Sequence, residues 1–146
     1  MSKTKKASLT ILEKDDKILL IRRFNTGFAD GLYTLPSGKV DLDESFTSAA
    51  IRETFEEVNA KIKPSDLKSI HIMSENCPDE DTEWIHHFFL TKKWSGEIRN
   101  METHKCDDIQ WFNIGELPSN ILPFVKRAIE KIYNDKCHYS EYGWSK

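Results

Sequence analysis

Cysteine is scarce and oddly numbered in this chain of 146 residues: Cys77, Cys106 and Cys137, with no CxxC pair. That excludes a disulfide framework or a zinc site of the usual spacing, and free thiols in a reducing compartment are the expectation. Long apolar runs are missing too, and none approaches the ~20 residues that a membrane-spanning helix needs. The amino-terminal MSKTKKASLT is basic but lacks the apolar stretch of a signal peptide, so a cytoplasmic location away from membranes is expected. A formal net charge of only −3 offers no basic excess for binding nucleic acid in bulk. Repeats, low-complexity tracts and Gly/Ser/Pro-rich linkers are absent. What remains is 38% hydrophobic and 31% charged, with 16 aromatic residues. That is the composition of a globule long enough for a sizeable core, and residues 1–146 are read as one domain.

Hydrophobic periodicity places the elements. Ala7 to Leu12 alternates, Lys14-Asp15-Asp16 turns, and Lys17 to Arg22 returns, which reads as a hairpin. Phe24 to Gly31 (FNTGFADG) carries turn residues and reads as a loop, followed by a short strand at 32–35 that Pro36 stops. A helix is expected from about 46 to 58, capped by Asp43 or Ser45 at its start and by Asn59 at its end. Further strands are expected near 60–63, 67–74, 83–92 and 109–112. An amphipathic helix is expected over 118–133, with Ile121, Val125, Ile129 and Ile132 on one face. Strands mixed with two helices point to an α/β or α+β sandwich rather than a parallel doubly wound sheet.

The first helix crowds like charges. At ~100° per residue Glu53, Glu56 and Glu57 fall within an arc of roughly 100°. Ile51, Phe55 and Val58 lie opposite and are expected to face the core, with Ala49 and Ala50 flanking the acidic front. Two charges ~4 Å apart repel by about 4 kcal/mol at an effective dielectric near 20. On a solvated helix face such glutamates are ordinary decoration. Here, however, the helix follows the glycine-containing turn LPSGKV, Glu44 precedes it, and Arg52 stands beside the cluster. Clustered carboxylates suit Mg²⁺ or Mn²⁺, hard cations that offset the repulsion and keep water positions open.

Gly38, Glu44, Arg52, Glu53, Glu56 and Glu57 stand at the spacing Gly-x5-Glu-x7-Arg-Glu-x2-Glu-Glu. The segment 38–60 thereby resembles the signature of the Nudix hydrolases. Three positions depart from it: Thr54 stands at an apolar site, Asn59 replaces a glycine, and Ala60 is a small last apolar residue. Asn can adopt the left-handed backbone that glycine supplies. The wider layout is similar to a small MutT-type domain, which implies an α/β/α sandwich around a mixed sheet.

The resemblance implies hydrolysis of a pyrophosphate bond in a nucleoside diphosphate linked to another group, with Mg²⁺ or Mn²⁺ as cofactor. It implies that Glu53, Glu56 and Glu57 ligate metal, with Glu53 also serving as a base. Arg52 would orient a glutamate, and backbone carbonyl near Ser37 and Gly38 would complete the shell. Glu44 would support the loop. Glu102 occupies the connection where related domains place a further metal-binding or base carboxylate, although a solvated loop glutamate reads equally well. Arg23 ends a strand where it could reach phosphate. Phe24 and Phe28 could stack a base or pack in the core. Asn120 stands where MutT-like enzymes read a purine edge, and a helix cap is the competing role. Of His86 and His87, adjacent on a strand, one is expected to face the core. The aromatic CHYSEYGW tail either folds back or makes a dimer contact, so a monomer and a homodimer both stay open.

The leading expectation is a small-molecule nucleotide substrate, a nucleoside triphosphate (an oxidised purine nucleotide among the choices), cut to a monophosphate and pyrophosphate. The rival substrate is a diphosphate conjugate such as ADP-ribose, a nucleotide sugar or a dinucleotide. The alternative of another class is a non-catalytic nucleotide-sensing module, which would typically have lost a glutamate.

Overall fold

A computed structural model describes residues 3–145; Met1, Ser2 and Lys146, parts of the two terminal segments read above, lie outside the described residues. Strands β1 (Lys3–Lys14) and β2 (Lys17–Arg23) form the expected hairpin. Asp15 and Asp16 close it in the left-handed region, at φ 54° and 62°. Two positive φ values give the turn whose twist suits a two-residue hairpin, and Asp tolerates that region better than most side chains.

Alternation along β2 sends its side chains into two cores. Ile18 and Leu20 join one, Leu19 and Ile21 the other, so the sheet is covered on both faces. The main path of this eight-stranded mixed sheet runs β3 (Tyr33–Thr34), β2, β1, β6 (Thr82–Thr91), β5 (Lys68–Cys77), β8 (Tyr139–Tyr142). β1 and β6 run parallel, from Lys3 opposite Thr82 to Leu12 opposite Thr91. Strand β4 (Ser37–Lys39) pairs with the middle of β1, and β7 (Cys106–Asn113) with β2. Helix α2 (Pro123–Tyr133) lays Val125, Ala128 and Ile129 on Leu9, Ile11 and Phe88. Burying such an aliphatic side chain stabilises the fold by about 1.5–3 kcal/mol. Helix α1 (Phe46–Val58) closes the opposite core, where Val58 meets Leu12, Leu19 and Ile21. The layering is the expected α/β/α sandwich. No helix among the described residues is long and apolar enough to cross a membrane.

Some boundaries differ from expectation. α2 begins at Pro123 rather than near 118, because Leu122 before the proline is extended (φ −56°, ψ 127°) and Pro suits the first helical position. Ile121 instead bridges Tyr33. The strand expected at 60–63 is a single bridge between Lys61 and Ser95. β4 and β8 carry too few residues for periodicity to show. The aromatic tail folds back: β8 runs parallel to β5, and Trp144 Nε1 donates to the Ser74 carbonyl at 3.1 Å. His71, 1% exposed, latches it through ring nitrogens 2.9 Å from the Cys137 carbonyl and 2.7 Å from Ser140 Oγ. Burial lowers the His71 pKa and favours the neutral ring this latch uses. On β6, His86 is the core-facing histidine, bonded to Glu75 at 2.7 Å. The three cysteines are free thiols.

α1 is fixed at both ends. Ser45, one of the two caps expected, accepts from the Ser48 N–H at 3.0 Å. The first turn carries no acidic residue. Asn59 ends the helix at φ 66°, and its Nδ2 donates to the Glu97 carbonyl at 2.9 Å. Asn59→Ala loses both left-handed tolerance and the amide bond and should destabilise by about 1–2 kcal/mol. That corresponds to a fall of roughly 3–8 °C in Tm. Asn59→Gly keeps the backbone conformation and should lose less; equal losses in thermal melts would refute the backbone argument.

Candidate functional site

The helix α1 is rolled differently from the sequence expectation. Of Ile51, Phe55 and Val58, only Val58 is buried, and Phe55 is 42% exposed with Lys61 Nζ 6.0 Å from its ring centroid. Ala49, Ala50, Thr54 and Val58 form the buried face instead. At 100° per residue Glu53 and Glu57 fall inside that arc, between Ala49 and Ala50. Small alanines let the helix lie close on the sheet, where Ser8 Oγ of β1 donates to the Phe46 carbonyl at 2.7 Å. Thr54 satisfies its buried hydroxyl on the Ala50 carbonyl at 2.7 Å, one turn back.

This approach brings the two glutamates against the turn at Ser37–Gly38. The Ser37 N–H donates to Glu57 Oε1 at 2.7 Å. A Cβ at Gly38 would stand 2.6 Å from Glu53 Cγ, so glycine is what makes room for Glu53. Arg52 binds Glu44 with two nitrogens, at 2.7 and 2.9 Å, and Glu53 Oε1 at 2.8 Å through Nη1. Glu44 also accepts the Asp41 N–H at 2.9 Å, so it supports the loop as expected. The Arg52 bond, then the Asp41 N–H, hold the Glu44 carboxyl down at about 2.

Glu102 arrives from the connection before β7. The last turn of α1 has unpaired carbonyls, and the following segment uses them: Arg99 N–H donates to Val58 O and Met101 N–H to Glu57 O, both at 3.1 Å. Asn100 Oδ1 then accepts the Glu102 N–H at 3.0 Å. Glu102 thus joins Arg23, Ser37, Gly38, Glu53 and Glu57 around one cavity of about 270 Å³. Lys105 also lines it, a residue the sequence reading missed although it stands three positions after Glu102.

The electrostatics follow from crowding. Burial pushes the Glu57 carboxyl well above the ordinary range; the Ser37 N–H opposes this, and Glu53 and Glu102 add to it. The residue keeps a little exposed surface, but its carboxylate is enclosed. Glu53 is raised as well, by burial first, against the pull of Arg52. Oxygen donors from three carboxylates, repelling one another, are a donor set that a divalent cation relieves. Among the described residues no three acidic, histidine or cysteine side chains converge into a finished ligand set; these surround the cavity instead.

Of the other expected site residues, Glu56, Phe28 and Asn120 do not line the cavity. The Glu56 side chain is 48% exposed on the rim, 3.5 Å from Arg52 Nη1, and does not line the cavity. Phe28 is not in the core: it is 58% exposed, with the Arg23 guanidinium 5.3 Å from its ring centroid. Arg23 is half committed to its own loop, donating to the Phe28 carbonyl at 2.7 Å and Thr26 Oγ1 at 2.9 Å. Asn120 does not cap α2. Its Nδ2 donates to the Gly31 carbonyl at 3.0 Å, tying down the far end of the same loop.

Comparison with known proteins agrees with this geometry. The sequence pattern that defines the NUDIX domain matches residues 3–133. The chain is 33% identical over 125 residues to the ADP-ribose pyrophosphatase of Methanocaldococcus jannaschii, covering 84% of this chain and 69% of that protein. It is 28% identical to a Bacillus subtilis protein provisionally named an 8-oxo-dGTP diphosphatase, covering 90% and 80%. It spans only 46% of the NAD-capped RNA hydrolase NudC of Chromobacterium violaceum, at 29% identity. Among solved structures, a MutT NUDIX hydrolase from Burkholderia pseudomallei superposes with a TM-score of 0.82 at 24% identity, covering 90% of this chain and 99% of that one. The family match spans well over half of the sequence: the chain belongs to the Nudix hydrolases, enzymes that generally need divalent metal ions.

Proposed function

We propose that this chain hydrolyses a pyrophosphate bond of a nucleoside triphosphate, oxidised purine nucleotides included, releasing a monophosphate and pyrophosphate with Mg²⁺ or Mn²⁺. The observation that carries the reading is the meeting of Glu53, Glu57 and Glu102, from two distant segments, around one cavity beside Gly38. The bound cations would neutralise polyphosphate charge and make water acidic enough to attack phosphorus near neutral pH. Glu53, Glu57 and Glu102 would hold them with the carbonyls at Ser37–Gly38, and Glu56 adds a fourth carboxylate at the rim. Water adds to one phosphorus, the bridging P–O bond breaks, and Glu53 accepts the proton at the oxygen that Arg52 leaves unbonded. Arg52 would keep Glu53 in place, anchored by Glu44, which is ionised at neutral pH. Arg23 lines the cavity and the exposed Phe28 lies against its guanidinium; there the cation would face phosphate and the aromatic ring a base. Asn120 positions their loop through Nδ2, which would leave its side-chain Oδ1 for a base edge.

Hydrolysis of a diphosphate conjugate is a second reading, favoured by the 33% identity to an ADP-ribose pyrophosphatase. The complete set of carboxylates stands against a non-catalytic sensor.

Glu57→Gln tests the site. The variant keeps the bond from the Ser37 N–H and removes the charge. In the metal-free protein the folded pKa of Glu57 lies above its unfolded value. Folding is therefore favoured most below the unfolded value and loses that favour as pH rises through the folded one. Without divalent ions the variant should melt above the parent at pH 8, with the gap closing toward pH 4. With Mg²⁺ it should lose about 100-fold or more in kcat. A lower melting point at pH 8 contradicts the burial argument, and normal turnover contradicts the site. For the substrate, ordinary and oxidised nucleoside triphosphates, ADP-ribose and dinucleotides should be assayed with Mg²⁺ and with Mn²⁺. Triphosphates should give the highest kcat/KM; cleavage of conjugates alone would transfer the assignment to the second reading.

A further inference from the structure

The substrate proposed above carries several negative charges into a cavity walled by carboxylates, so the cations already in the wall decide how it is received. Most are committed. Arg52 is held by Glu44 and Glu53. Arg22 donates to Asp107 at 2.7 Å and lies 5.6 Å from the Tyr33 ring centroid. Arg23 spends two donors on its loop and stacks on Phe28. Lys39, next to Gly38, has its ammonium 5.9 Å from the Trp84 ring centroid.

Lys105 differs. Its backbone is pinned: its N–H donates to Glu102 O at 2.8 Å, and its carbonyl accepts the Phe24 N–H at 2.9 Å. Its side chain is 55% exposed, and its ion pair is with Glu102 Oε2 at 3.9 Å, beyond hydrogen-bond reach. An exposed contact of that length holds a charge only weakly. The backbone is thus fixed between the carboxylates and the Phe24–Gly31 loop, while the ammonium has no hydrogen bond to lose.

We propose that Lys105 is the phosphate-receiving cation of this cavity, facing Glu102 in the metal-free protein and moving to a substrate phosphate oxygen once Glu102 is engaged by a divalent ion. The inference rests on the metal-dependent reading of the site. A cation bound at Glu102 both satisfies that carboxylate and repels the ammonium. An incoming polyphosphate is then the nearest anion for it. Lysine suits the exchange, because a compact charge on a flexible stem can change partners without the planar geometry an arginine demands.

The test uses two probes on the full chain, Mn²⁺ alone and then inorganic pyrophosphate on the Mn²⁺-saturated protein, both by calorimetry. Lys105→Met should bind Mn²⁺ as tightly as the parent or a few-fold tighter, because a competing cation has gone. It should bind pyrophosphate about 10- to 100-fold more weakly, the size of one charge-assisted hydrogen bond. Lys105→Arg, which keeps the charge but not the compact ammonium, should lose less than Lys105→Met. Unchanged pyrophosphate affinity in Lys105→Met overturns the inference. So does a parallel loss of Mn²⁺ affinity, which would mark Lys105 as a support for Glu102. Failure of the parent itself to bind Mn²⁺ would sink the metal reading, and the inference with it; failure confined to the Met variant sinks the inference alone.

Discussion

Like charges held beneath one cavity wall are the constraint around which this protein is arranged. Burial and the neighbouring carboxylates, Glu102 among them, raise the proton affinity of Glu53 and Glu57, and the three charges would separate into water if their supports were weak. Backbone groups do most of the holding. The Ser37 N–H fixes Glu57, and the open carbonyls at the end of α1 draw in the segment that carries Glu102. Arg52 is the side-chain contributor, placed where Glu44 can anchor it from outside the cluster.

Close approach of helix to turn follows from that constraint. Ala49 and Ala50 at the contact, Gly38 under Glu53, and a threonine that bonds its own helix all reduce the bulk between α1 and the sheet. The buried, mutually repelling carboxylates disfavour the metal-free fold, as groups arranged for function commonly do. The stabilising elements lie elsewhere: two apolar cores on opposite faces of the sheet, and the His71 latch that joins β8 to β5 on the side away from β2 and β7.

The mouth of the cavity is also prearranged. Asp30 accepts from Thr26 Oγ1 at 2.6 Å and from the Gly27 N–H at 2.9 Å. These bonds, Thr26's first, hold its carboxyl below the ordinary range. Asn120 and Arg23 secure the loop from either side. A loop with its polar groups satisfied internally loses little entropy when a ligand arrives, and its aromatic Phe28 stays exposed without collapsing inward.

The sequence alone determined the elements with strong period or strong punctuation. The hairpin, α1 with Ser45 and Asn59 at its ends, the sandwich layering and the family signature all follow from local pattern, which neighbours in sequence are enough to create. It did not determine the roll of α1. Phe55 looked like core because it is apolar, whereas packing turned the small alanines inward and carried Glu53 and Glu57 with them. Only the tertiary structure decided that Glu102 joins Glu57, that Glu56 stays on the rim, that Asn120 braces a loop, and that the tail becomes β8. Each of these depends on a contact between residues far apart in the chain. Such contacts are chosen by shape and by unmet hydrogen bonds, quantities that no short stretch of sequence contains.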